Sequence, residues 1–300
     1  MTTTLKLTAL FTCALALCAN ALYAQEASDA SEAQSLQILF IGNSFTFFND
    51  LDQTVSDMLN VSGVAARAQR STPGGWRLRQ HYNGELPKVA EGKTQKFTPT
   101  PEVIKKAPWD YVVLQEQSSG AVDHRAEFLE YGAKLAETIR ENNAQTQILL
   151  YQTWARCDGM FEGYGEDSAR RDEILAAWTK RYSEPDEATV EALKDGMQGG
   201  YAKLAQQIDA TISPVGLAFS LVGDTLDLYC DEGDKKPFHP NPNGTYLAGC
   251  VFYKVITGKS PQGMFQRLTD AGKVYKVEEK DASYLEKIAE QAVDATQKKD

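Results

Sequence analysis

Cysteine and histidine are scarce in these 300 residues, with five of the first and three of the second. Cys13 and Cys18 lie in an N-terminal stretch read below as removed on export, which leaves Cys157, Cys230 and Cys250. Three thiols close at most one disulfide, so the chain is no cysteine-stapled scaffold, and whether Cys230 pairs with Cys250 stays open. No CxxC spacing occurs, and His81, His124 and His239 are the only imidazoles, which argues against a metal site. No cofactor is called for. There is no basic stripe either: 41 acidic against 31 basic residues leave a net charge of −10. That balance argues against nucleic acid and anionic membrane as partners. The first strand is followed by neither Gly-x-Gly-x-x-Gly nor a Walker loop, which ranks a nucleotide-binding role lowest. The absence of Gly-x-Ser-x-Gly argues against the α/β-hydrolase elbow.

The one long apolar run, residues 7–22, follows Lys6 and precedes small residues at Ala19, Ala21 and Ala24. It reads as a secretory signal peptide over residues 1–24, and is short for a membrane span. Cleavage after Ala21 fits the small-x-small rule, and cleavage after Ala24 is the alternative. Residues 25–35 (QEASDASEAQS) are small and polar, as in a flexible mature start. The remainder, 36–300, is about 265 residues, enough for one large α/β domain.

Strand-like and helix-like runs alternate. Strands are expected at 36–41, 64–69, 110–114, 147–151 and 215–218. Helices are expected after Asn49 or Asp50 (Leu51, Val55, Met58, Leu59), over 128–139, 201–212 and 244–256, and from Asp281. Gly258 should end the helix that begins at Gly244, and Pro73-Gly74-Gly75 marks a tight loop. The charged segment 156–197 reads as an insertion. Near-continuous apolar strands separated by helices predict a three-layer α/β/α sandwich with a parallel, flavodoxin-like sheet of about five strands.

Ser44 sits where the first strand hands over to a helix, at the sheet edge where ligands collect. A helix N-terminus there can stabilise nearby negative charge. A serine nucleophile needs a base, and His239 lies in a Pro-rich loop (PFHPNPNG) directly before a helix. Asp231 or Asp234, just upstream, could orient its ring and stabilise the imidazolium.

Four blocks extend this pattern: GNSFT at 42–46, Gly74-Gly75, VVLQEQS at 112–118 and HPNPNGTYLA at 239–248. In this order they resemble the SGNH (GDSL-like) hydrolase superfamily, in particular a bacterial exported branch, and they span about 200 residues, nearly the whole mature domain. The resemblance implies Ser44 as nucleophile and His239 as base. It implies an oxyanion hole from a glycine N–H, here Gly75 or Gly74, and from the Ser44 N–H. The family's Gly-x-Asn-Asp block is missing; Gln117 or Gln115 could present an equivalent amide. The family's Asp-x-x-His is also altered, with Lys236 three residues before His239. Asp231, Asp234, or no acid at all are the options left.

Trp76 and Trp154 are candidates for lining an acyl or sugar pocket, with ordinary packing as the alternative. His81 reads as a packed or capping side chain, and His124 as the opening of a helix. The function expected is a secreted or periplasmic serine esterase acting on short acyl groups, O-acetyl esters of carbohydrates first. A non-catalytic glycan-binding relative is the rival reading.

Overall fold

The computed structural model describes residues 35–88, 97–154, 187–229 and 239–297, with the backbone alone for 187–195. In chain order the elements are β1 (Leu36–Ile41), α1 (Ser44–Phe47), a 3-10 turn (Phe48–Asp50), α2 (Leu51–Val61), β2 (Ala66–Ser71), α3 (Leu78–Tyr82), α4 (Thr100–Ile104) and β3 (Tyr111–Leu114). There follow α5 (Gly120–Asp123), α6 (Arg125–Asn142), β4 (Gln147–Tyr151), α7 (Glu187–Ile208, broken at Gly196), β5 (Thr211–Ser213) and α8 (Val215–Val222). The last three are α9 (Pro242–Thr257), α10 (Met264–Asp270) and α11 (Glu279–Gln297). From Gln37 onward the chain makes one compact unit.

The five strands form one parallel sheet in the order β2-β1-β3-β4-β5. That is the flavodoxin-like order, with its switch point between β1 and β3. Register places Ile41 beside Leu114 and Leu114 beside Leu150. Strand side chains alternate between faces. Leu39, Ile41, Val112, Leu114, Ile148 and Leu150 pack with Trp109, Phe128, Leu135, Tyr201 and Leu204 in one core. On the other face Phe40 and Tyr151 both make T-shaped contacts with Phe252 from α9, at 5.5 and 5.2 Å between ring centres. Burial on both faces explains why the central strands are apolar without alternation. One helix layer contains α2, α8, α9, α10 and α11, the other α3 to α7.

Three expectations are corrected, the first being the helix expected over 201–212, which ends at Ile208. The second strand begins two residues later than expected, at Ala66. It is an edge strand with mostly polar, partly exposed side chains, so its apolar signal is weak. The fifth strand is Thr211–Ser213 and not 215–218, which belong to helix α8. Short apolar runs are ambiguous between strand and helix. Here Pro214 occupies the N-cap, where its missing N–H costs nothing, and β-branched Thr211 and Ile212 pair with β4 instead. Gly258 ends α9 with φ +69, as its position suggested. The expected signal peptide, the flexible start and most of the 156–197 segment lie outside the described residues. Cys230 does too; Cys250 is a free, buried thiol on α9.

Candidate active site

Gly42, just past the end of β1, is held by two hydrogen-bond partners. The Gly42 N–H donates to the Ser71 carbonyl at 3.1 Å. Its own carbonyl accepts from Nε2 of His81 at 2.9 Å. A β-carbon on Gly42 would run into the Gln115 amide and the Thr46 hydroxyl, so glycine is a packing necessity here. Asn43 is the N-cap of α1: its Oδ1 accepts the N–H groups of Ser44 at 2.6 Å and Phe45 at 3.1 Å. Its Nδ2 donates to the Trp76 carbonyl at 2.9 Å, tying the Ser44 turn to the glycine loop.

Ser44 therefore stands at the start of a single-turn helix, with 8% of its surface exposed. One turn sums few peptide dipoles, so the charge stabilisation expected from this helix is small. The Ser44 N–H, expected as an oxyanion donor, is engaged by Asn43 Oδ1. The Ser44 Oγ lies 2.8 Å from Nε2 of His239, 195 positions along the chain. With the hydroxyl donating, Nε2 accepts and the ring proton sits on Nδ1. Phe48 stacks on the imidazole at 4.1 Å between ring centres and 13° between planes. Phe45 meets it edge-on at 5.8 Å. The loop backbone is fixed too: Pro240 bridges Tyr229, and the Asn241 N–H donates to the Leu228 carbonyl at 2.9 Å. Asp231, Asp234 and Lys236 lie outside the described residues.

Pro73, Gly74, Gly75 and Trp76 form a β-turn closed by the Trp76 N–H on the Pro73 carbonyl at 3.3 Å. Gly75 has φ +73, the left-handed geometry that the third position of a type II turn requires. Both glycines are exposed. Glu116 braces this loop from behind. Its carboxylate accepts the Leu78 N–H at 3.1 Å and the Gln117 N–H at 2.8 Å. Burial pushes its pKa up to about 7, against the pull of those two N–H groups and of Arg77.

The two glutamines part company. Gln115 is fully buried, and its Oε1 accepts from the Asn43 N–H at 2.9 Å while its Nε2 donates to Asn43 Oδ1 at 3.1 Å and to the Glu116 carbonyl. Its amide is consumed as a bracket inside the fold, a correction to its expected oxyanion role. Gln117 is only half-buried, one residue beyond Glu116.

Both tryptophans are packed. Trp154 is sandwiched between Phe45 at 4.5 Å and Phe219 at 4.1 Å, and Trp76 meets the His81 ring at 5.0 Å. Trp154 still contributes to the wall of a cavity of about 180 Å³ with Gln152, Met197 and Tyr229. A larger cavity of about 570 Å³ adjoins Gly74 and Phe47 and is lined by Gln69, Arg70, Thr72 and Lys106.

His81 is a neutral structural imidazole. With Nε2 donating to Gly42, its Nδ1 accepts from the Thr100 hydroxyl at 2.8 Å, and Thr100 in turn meets the Ser71 hydroxyl at 2.9 Å. Burial lowers its pKa to about 4. His124 is the N-cap of α6, where Arg77 reaches its Nε2 at 2.6 Å. Asn43 and Glu116 were not singled out from the sequence, and Asn49 only as a possible helix cap. An asparagine beside a candidate nucleophile at a strand-to-helix junction is a capping signal that would have pointed to Asn43. No cluster of three or more His, Cys, Asp or Glu suited to a metal ion occurs among the described residues.

The parallel 2-1-3-4-5 sheet is the fold class expected from the sequence, and Ser44 and His239 meet beyond the carboxyl end of its first strand. No family model matches the chain, and a search of curated proteins finds no relative. Among solved structures the chain is similar to a DUF4886 family protein from Bacteroides uniformis, at 18% identity and TM-score 0.57, over 86% of this chain and 95% of that one. It is also similar to a protein from Slackia heliotrinireducens assigned to the SGNH hydrolases, at 25% identity and TM-score 0.49, over 74% and 99%. A family 3 carbohydrate esterase from Talaromyces cellulolyticus aligns at 13% identity and TM-score 0.44, over 78% and 99%.

Proposed function

We infer that the protein is a serine hydrolase of carboxylic esters. The observation that carries this reading is the 2.8 Å contact between the Ser44 hydroxyl and the His239 imidazole. In the first step Ser44 Oγ attacks the ester carbonyl while His239 Nε2 takes its proton. The tetrahedral oxyanion is held by the Gly75 N–H and the Gln117 side-chain amide, each worth on the order of 3 kcal/mol. The protonated His239 then gives its proton to the departing alcohol. Water, deprotonated by the same ring, releases the acyl group. General-base help of this kind contributes roughly a hundred- to ten-thousandfold. Asp231 or Asp234 would orient the ring.

The substrate class proposed is a short acyl ester of a carbohydrate, O-acetyl first. The 570 Å³ cavity beside Gly74 supports it, because Gln69, Thr72 and Lys106 in its lining offer hydroxyl-binding groups. The N-terminal apolar segment supports export to the periplasm or beyond. Purified wild type and Ser44→Ala, assayed with p-nitrophenyl acetate and a panel of acetylated glycans, test the reading. Loss of at least about a thousandfold in kcat is expected for the variant. Equal rates in both proteins remove Ser44 from the mechanism, and glycan binding without turnover replaces the hydrolase with a binding module.

A further inference from the structure

Two consecutive non-glycine residues between α1 and α2 are left-handed, Asn49 with φ 52 and ψ 24, and Asp50 with φ 52 and ψ 55. Such a pair is disfavoured by its β-carbons and persists only where neighbours hold it. The neighbours are clear. Arg70 on β2 reaches Asp50 at 2.6 Å and Asp52 at 2.7 Å. On the opposite side Asn49 Nδ2 donates to the Pro240 carbonyl at 2.9 Å and to the Thr245 hydroxyl at 3.1 Å. Pro240 follows His239 directly and has no N–H of its own, so its carbonyl is the only backbone polar group through which the residue can be held. One residue before Asn49, Phe48 lies flat on the His239 ring at 4.1 Å.

The geometry points to Asn49 as a positioning residue for His239, an inference that rests on the acyl-transfer reading. The hook from Phe48 to Asp50 grows out of the nucleophile's own helix. It grips the base loop by a backbone carbonyl, by the first turn of α9 and by the ring face. The segments that carry Ser44 and His239 are therefore tied together, and their 2.8 Å contact is set from the nucleophile's side of the cleft. Negative φ at residues 49 and 50 would run α1 on into α2 and withdraw the amide from Pro240. The requirement is specific to asparagine: it tolerates the left-handed region, and it donates.

The test uses the full chain with two substitutions. Asn49→Gly keeps the left-handed backbone without strain and deletes the amide. Asn49→Asp keeps size and conformation but can no longer donate. The readouts are kcat and KM on p-nitrophenyl acetate, the rate of Ser44 labelling by a fluorophosphonate, and the urea midpoint. Expected for both variants is a fall in kcat of about tenfold to a hundredfold with KM within about twofold, matched by slower labelling. The glycine variant keeps its urea midpoint close to wild type. If both variants retain kcat within about twofold while His239→Ala abolishes turnover and labelling, Asn49 does not position the base. A raised KM with unchanged kcat assigns Asn49 to substrate binding and overturns the inference as well. A wild type that neither turns over esters nor labels at Ser44 sinks the acyl-transfer reading, and the role of Asn49 with it.

Discussion

Asn43 concentrates more of the site's geometry than any other side chain on β1 or α1. It caps two N–H groups of α1, holds the Trp76 carbonyl and is itself bracketed by Gln115. His81 does comparable service one residue earlier by satisfying the Gly42 carbonyl in a fully buried setting. A buried polar group that loses its partner bears its full desolvation penalty. His81→Phe, close in shape but unable to donate, should therefore destabilise the fold by about 2 to 3 kcal/mol. It should also slow Ser44 labelling, because the carbonyl it frees begins the nucleophile turn. Urea denaturation and labelling kinetics measure the two effects separately. His81 was legible in the sequence as a packed or capping side chain, the commoner part for an imidazole than that of a second base. Its target was not, because Gly42 is 39 residues away.

The element that matters most to the base is α9. Asn241 caps it by accepting the Gly244 N–H at 3.1 Å, Pro242 starts it, and Gly258 ends it. The same Asn241 donates to the Asp227 carbonyl at 3.0 Å, so the cap also fastens the loop that carries His239. Asn241→Ala should cost about 1 kcal/mol of stability, the usual value of an N-cap. It should also lower kcat more than KM by loosening the base. Unchanged kcat in a measurably destabilised variant would confine Asn241 to capping. The stop of this helix at Gly258 was read from the sequence, whereas its start was expected two residues late, at Gly244, although Asn241 and Pro242 are cap and first-turn signals. The fifth strand was not, because the competition between Thr211–Ser213 and the apolar residues after Pro214 is decided by pairing with β4.

Two buried groups of opposite behaviour shape the pH response of the whole molecule. Glu116 is raised to about 7 from 4.5, so the folded form keeps a proton that the unfolded chain releases, and its contribution to stability is lost as pH rises from 4.5 through 7. His81 is lowered to about 4 from 6.5, so its contribution is present above 6.5 and is lost as pH falls towards 4. Between pH 4.5 and 6.5 the two slopes oppose and flatten the wild-type curve. Glu116→Gln removes one of them. Its unfolding free energy should then rise with pH across that window by up to about 1.4 kcal/mol per unit, as followed by urea denaturation at a series of pH values. Parallel curves for wild type and variant would exclude Glu116 as the opposing group.

Local order in the chain was enough to specify the layered α/β architecture and to nominate Ser44 and His239. Continuous apolar strands, helical periodicity, caps and breakers are properties of neighbouring residues. Tertiary structure alone decided what each polar side chain does. It spent the Gln115 amide on Asn43, closed Trp154 between two phenylalanine rings, placed Glu116 behind the glycine turn and brought Asn49 onto Pro240. The reason is that a hydrogen-bond partner is chosen by proximity in space. The separations across these contacts, from 38 to 191 residues, carry no trace in any local pattern.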